Sequence, residues 1–145
     1  MTESRLTVNT SYHPAGNELV SFLHATGFQA PVPTEDYAEK VLVNAAFVSL
    51  QDENGVMKGL SIAYMNRKEK DFAYLTYIAI CEDVRGMGGG KSLLLETIGV
   101  ARKKGFDRFK LEVRMDNEVA RHLYESIGFV YVDKTDYSYY MELEL

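Results

Sequence analysis

The 145-residue chain contains one cysteine, Cys81, and no tryptophan. A lone thiol can close no internal disulfide and build no multi-thiolate metal site, so Cys81 reads as a small buried hydrophobe. The three histidines, His13, His24 and His122, share no metal-ligand spacing, and no metal is expected. Long apolar runs are missing too: the richest stretch, residues 41–50, is too short to span a bilayer and is interrupted by Asn44. The opening Met1-Thr2-Glu3-Ser4-Arg5 lacks a basic segment leading into an apolar one. These absences predict a cytoplasmic protein with no membrane partner. The net charge of -5 supplies no positive field to gather nucleic acid, although a local basic patch could still hold a phosphorylated ligand. Internal repeats and low-complexity segments are absent as well.

What remains is the composition of an ordinary globular protein, 46% apolar and 26% charged, with a length that suits a single domain over residues 1–145. Leu19, Val20, Phe22 and Leu23 recur at helical spacing between His13 and Gly27, and Gly27 can end the turn in a left-handed conformation. Two prolines then forbid helix until Thr34, whose hydroxyl is expected to cap a second helix running to about Val43. Strand-like runs follow at 46–51 and 56–65, joined by a turn in which Asn54-Gly55 signals a hairpin. Residues 72–81 are apolar on both faces, as in a strand at the middle of a covered sheet. Leu94, Ile98 and Ala101 stripe a helix over 91–104; Phe109, Leu111 and Val113 alternate with charges as in a strand. A helix over 117–127 and strands near 129–132 and 137–145 complete an α/β chain. The order predicts a mixed sheet of six to seven strands with helices on both faces.

Directly after the strand at 72–81 comes Arg85-Gly86-Met87-Gly88-Gly89-Gly90-Lys91. A glycine-rich turn opening a helix presents free N–H groups and the positive end of the helix dipole, with Arg85 and Lys91 adding charge: a phosphate cradle. A flexible connector is the plainer reading. The spacing excludes two familiar cradles. A nucleotide-triphosphate loop requires glycine where Arg85 stands, and a dinucleotide fingerprint requires glycine where Lys91 or Leu93 stands.

The pattern R-x-x-G-x-G carried by Arg85, Gly88 and Gly90 resembles the GNAT acetyltransferases. So does the segment Leu111-Glu112-Val113-Arg114-Met115-Asp116-Asn117 with Ala120, Leu123-Tyr124 and Ile127-Gly128-Phe129, which is similar to the ribosomal-protein N-terminal acetyltransferases of that superfamily. One departure is Gly89, where the family usually carries an apolar residue anchoring the first helical turn. The resemblance implies a GNAT-like fold and an acetyl-CoA-dependent N-acetyltransferase in which amine attacks thioester directly. It also implies that two central strands part to admit the pantetheine arm, here along Ile78, Ala79 and Ile80, with a backbone N–H polarising the thioester carbonyl. Arg85, Gly86, Gly88, Gly89, Gly90 and Lys91 would hold the pyrophosphate and Asn117 would help hold CoA, though Asn117 serves equally as a helix N-cap. Tyr124 matches the family's proton donor to the CoA thiolate, against a packing role on Ala120 and Ile127. Glu112 matches a base acting through water, against a solvated carboxylate beside Lys110 or Arg114.

The implied acceptor is a primary amine: a small molecule, an amino sugar or a peptide N-terminus. Acceptor selection in the superfamily comes from the first two helices and the last two strands, here carrying Phe28, Glu35, Asp36, Tyr37 and Glu39, then Asp133, Asp136 and residues 137–140. An acidic, aromatic rim suits a cation. A homodimer is compatible with the sequence. The rival function is a noncatalytic acyl-CoA sensor, which would need the glycine turn but not Tyr124.

Overall fold

A computed structural model describes residues 5–145. In chain order it contains β1 (Thr7–Asn9), α1 (Gly16–Ala25), α2 (Thr34–Asn44), β2 (Ala45–Gln51), β3 (Met57–Tyr64), β4 (Ala73–Ile80), a 3-10 turn (Glu82–Val84), α3 (Gly89–Lys103), β5 (Arg108–Arg114), α4 (Glu118–Ile127), β6 (Val130–Lys134) and β7 (Ser138–Glu144). All seven strands join one mixed sheet in the order β1-β2-β3-β4-β5-β7-β6. Only β4 and β5 run parallel; the other neighbours are antiparallel.

Alternation along each strand sends its apolar side chains to two faces. On one face, Leu94, Ile98 and Ala101 of α3 and Tyr124 of α4 pack on Ala73, Leu75, Phe109, Leu111 and Val113. On the other, Leu19, Phe22 and Leu23 of α1 and Val41 of α2 pack on Phe47, Leu60 and Ile62. Each large side chain buried in this way contributes roughly 1.5–3 kcal/mol through the area it removes from water. The second cluster draws on no residue of β5, β6 or β7, so that part of the sheet keeps an uncovered face beside α1 and α2. At the centre, buried Ser61 of β3 and Thr97 of α3 join hydroxyls at 2.6 Å, and Thr97 donates to the Leu93 carbonyl at 2.7 Å. The pair satisfies itself and pins α3 across the sheet.

A bulge sets the geometry that matters most for function. Ile62 pairs with Tyr77 whereas Ala63 pairs with Leu75, leaving Thr76 as the extra residue of β4. Leu75 therefore lies in the α3–α4 core while Tyr77 lies in the α1–α2 core. An extra residue bends its strand. Pairing of β4 with β5 covers only Ala73↔Phe109, Tyr74↔Lys110 and Leu75↔Leu111. Beyond it β4 stays with β3 as far as Ile80, and β5 stays with β7 as far as Arg114. The two central strands consequently part.

Several local expectations are corrected. Strand β1 carries too short a pattern to read from sequence. Thr34 caps nothing: it is the first residue of α2, Pro33 holds the cap position without a side-chain bond, and the Pro33 carbonyl accepts from Tyr37 N at 3.1 Å. The glycine turn does not follow β4 directly, because the 3-10 turn intervenes, and α3 begins at Gly89 rather than Lys91. Cys81, just past the end of β4, is half-buried against the α1–α2 core instead of sealed within it.

Candidate functional site

Just ahead of α3, Gly86 and Gly88 adopt φ of +82° and +79°, the left-handed region in which a side chain is strained. Ser92 N donates to the Gly88 carbonyl at 3.2 Å, while the amides of residues 86–91 find no backbone acceptor among the described residues. These donors sit at the positive end of a fifteen-residue helix whose first turn carries no acid. Gly89 is constrained by packing: a Cβ there would lie 2.6 Å from Leu50 Cδ2. Leu50 and Leu6 bring the apolar contact to the first turn from outside, so the departure at Gly89 leaves that turn supported. Arg85 is exposed and its Nε donates to the Ile80 carbonyl at 3.3 Å, tying the turn to the end of β4. Asp83, two residues earlier, accepts from Lys58 Nζ at 2.7 Å, which holds its carboxyl below the ordinary range and neutralises an acid close to the cradle. Lys91 is exposed on the first turn.

From this turn the gap between β4 and β5 leads back into the sheet. Ile78, Ala79 and Ile80 are only half-buried, as befits a strand whose neighbour has left. Alternate backbone groups of residues 76–80, those that would meet β5, have no strand opposite them. Such an edge accepts an extended, amide-bearing ligand as another strand would.

Tyr124 and Glu112 lie on opposite faces of the sheet, Tyr124 in the α3–α4 core and Glu112 in a cavity on the other side. Tyr124, on α4, is 5% exposed and its ring lies 5.7 Å from that of Phe129. Burial alone pushes its hydroxyl up to about 12. That hydroxyl is unbonded yet not sealed, since the one sealed, unpartnered side-chain polar atom among the described residues is Ser49 Oγ. Glu112 alternates to the uncovered face, is exposed, and stands opposite Tyr140 in the β5–β7 ladder. It lines a cavity of about 320 Å³ with Tyr74, Leu75, Thr76, Arg114 and Ser138. Burial, then the nearby Glu112 and Tyr140, raises the Tyr74 hydroxyl above its ordinary value. Asn117 serves as the N-cap of α4, accepting from Ala120 N at 3.2 Å.

Two residues expected on an acceptor rim are committed elsewhere. Phe28 stacks on Tyr37 with centroids 4.4 Å apart and meets Tyr77 edge-on, while the Tyr37 hydroxyl joins Thr76 Oγ1 at 3.1 Å. They fasten the α1–α2 loop to the bulge. Conversely, Tyr74 was not legible as a site residue. It shares a face with Glu112 only through the parallel β4–β5 register, which periodicity within one strand does not reveal. No cluster of three or more His, Cys, Asp or Glu side chains able to hold a metal occurs among the described residues.

Comparison with known proteins places this geometry in context. The model of the "Acetyltransferase (GNAT) family" matches residues 17–129. N-alpha-acetyltransferase 30 of Schizosaccharomyces pombe is 27% identical over 96 residues, 66% of this chain and 63% of that protein. The [ribosomal protein bS18]-alanine N-acetyltransferase of Escherichia coli is 38% identical over 77 residues, 53% of this chain and 50% of that protein. The chain thus spans between half and two thirds of these curated relatives in sequence. The crystal structure of the Escherichia coli ribosomal-protein-S18-alanine N-acetyltransferase superposes with a TM-score of 0.80 at 25% identity, covering 97% of this chain and 94% of that one. The PaiA N-acetyltransferase of Thermoplasma acidophilum, solved in complex with coenzyme A, shares the fold with a TM-score of 0.76 at 17% identity, covering 97% and 99%.

Proposed function

The chain belongs to the GNAT family of acetyltransferases, and from that membership we propose that it transfers the acetyl group of acetyl-CoA to a primary amine in the cytoplasm. The observation that carries the reading is the parting of β4 and β5 beyond Leu75 and Leu111, with free amides at one end and with Tyr124 and Glu112 on opposite faces of the sheet. Acetyl-CoA is a substrate here, and the residues present suit it. Its pyrophosphate meets the amides of residues 86–91, and its pantetheine amides meet the bare edge of residues 76–80. An N–H of that edge polarises the thioester carbonyl and stabilises the oxyanion as the amine attacks.

Proton transfers follow from the two faces. An alkyl ammonium near pKa 10 is mostly protonated at neutral pH, so Glu112, open to solvent, removes a proton through water to free the nucleophile. Attack forms the C–N bond, collapse breaks the C–S bond, the CoA thiolate takes a proton from Tyr124, and the nitrogen sheds its surplus proton to water, from which the phenolate is reprotonated. Burial keeps that proton on the phenol until it is needed. A thiolate leaving into the same dry cleft is itself raised above its ordinary value of about 8.5, which narrows the mismatch between acid and leaving group. Protein or peptide α-amines are the favoured acceptors, because one sequence relative described above is named an N-alpha-acetyltransferase and the other a ribosomal-protein-alanine N-acetyltransferase.

Incubating the protein with acetyl-CoA and a panel of peptides, small amines and amino sugars, and following release of free thiol with mass detection of acetylated product, tests the proposal. Product with at least one amine is expected. Tight CoA binding with no product across the panel would replace the enzyme by an acyl-CoA sensor.

A further inference from the structure

Resting on the acetyl-transfer reading above, we propose that the acceptor site selects primary amines with no anionic group within a few atoms of the nitrogen, and that the Arg114–Asp116 pair enforces the exclusion.

The argument starts from where the charges of β5 go. Its three basic side chains are all engaged away from Glu112. Arg108 lies 3.7 Å from Glu142 and 3.9 Å from Glu144. Lys110 lies 3.6 Å from Glu142 and sits 4.2 Å above the centroid of the Phe72 ring. Arg114 shares the cavity wall with Glu112 but turns toward Asp116, with Nε to Oδ1 at 3.1 Å and Nη2 to Oδ2 at 3.2 Å. Two parallel bonds fix the direction of the guanidinium as well as neutralising it. From the α1–α2 side, Lys40 lies 5.7 Å over the ring of Tyr64, which belongs to β3, one strand further from the gap than Tyr74. The bulge residue Thr76 is taken by the Tyr37 hydroxyl.

Glu112 is therefore the uncompensated charge of the cavity, flanked by the phenol rings of Tyr74 and Tyr140. An ammonium entering here meets a carboxylate and aromatic rings, which attract it. A carboxylate or phosphate attached beside the amine meets the same carboxylate with no guanidinium free to receive it, and like charges in a concave site repel. Peptide N-termini and amines with uncharged neighbours share the admitted chemistry. Free α-amino acids and phosphorylated amino sugars carry what the site refuses.

Alanine and alaninamide present the same α-amine with and without the carboxylate. With the wild-type protein, kcat/KM for alaninamide should exceed that for alanine by about tenfold or more. Asp116→Asn releases Arg114 and should shrink this ratio by roughly threefold or more, chiefly by improving alanine, and the gain should fade as salt screens the guanidinium. Because the same two amines are used throughout, their differing basicities cancel in the change of ratio. A ratio near one, or one unmoved by Asp116→Asn, overturns the inference while leaving acetyl transfer intact. Calorimetry with the CoA-loaded protein separates the remaining cases. Binding of alaninamide but not alanine supports the selectivity even without turnover, whereas failure of both to bind and to react overturns the inference and the transfer reading together.

Discussion

At the scale of single residues the assignment turns on Tyr124, whose ring packs in the core while its hydroxyl bonds to nothing among the described residues. Tyr124→Phe preserves the ring contacts with Phe129 and removes only that hydroxyl, so melting temperature and CoA affinity should stay close to wild type. Single-turnover acetyl transfer should fall by at least about tenfold, given that general acid catalysis is typically worth 10²- to 10⁴-fold. Single turnovers are the right measurement because product release can mask chemistry in kcat. The raised value also fixes the pH behaviour. An acid acts while protonated, and a phenol pushed up to about 12 keeps its proton well beyond pH 10. The profile of kcat/KM should thus show no alkaline decline near pH 10 that depends on Tyr124. A decline there that vanished in Tyr124→Phe would mean an ordinary, solvated phenol. Unchanged single-turnover rates would leave Tyr124 as a packing residue.

Among the elements, the glycine turn was legible in sequence and the gap between strands was not. Four glycines between Arg85 and Lys91 specify positive φ and close backbone approach almost by composition, and the structure returns both, at Gly86 and Gly88. Likewise Asn117 and Gly128 marked the ends of α4, because capping is chemistry local to the chain. The parting of β4 and β5 depends instead on a bulge at Thr76, a long-range register event with no signature in the alternation of residues 72–81. It entered the sequence reading only through resemblance. The same holds for Tyr74 beside Glu112 and for Leu50 beneath Gly89, each a contact between distant segments. For the turn, the prediction is that Gly88→Val costs stability, on the order of 1–3 kcal/mol for a β-branched residue held at positive φ, and also blocks the pyrophosphate. Gly88→Asn separates the two effects, since asparagine tolerates that conformation. It should melt near wild type yet bind CoA at least about tenfold more weakly, through the side chain placed over the cradle. Normal CoA binding by the folded Asn variant would reduce the turn to a connector.

For the whole molecule, one face of the sheet is sealed by α3 and α4, the other is covered by α1 and α2 only across its first strands, and the gap runs between the two cores. A ligand filling that gap bridges the β1–β4 half to the β5–β7 half, which share just three residue pairs across the β4–β5 seam. Binding to the folded state alone adds about 2.7 kcal/mol at a hundredfold excess over Kd, which for a chain of this size corresponds to a rise in melting temperature of roughly 5–10 °C. Acetyl-CoA should produce that rise equally with and without a chelator, because backbone amides and Arg85 suffice for its phosphates. Amide exchange should slow at residues 76–80 and at 86–91. ADP, which keeps the pyrophosphate but has no pantetheine arm, should protect 86–91, leave 76–80 exchanging, and raise the melting temperature less. Equal protection of both segments by ADP would mean that the gap is closed by movement of the strands and not by the arm. Loss of the acetyl-CoA effect on chelation would point to a metal-bridged phosphate site and remove the basis for assigning the cradle to backbone amides.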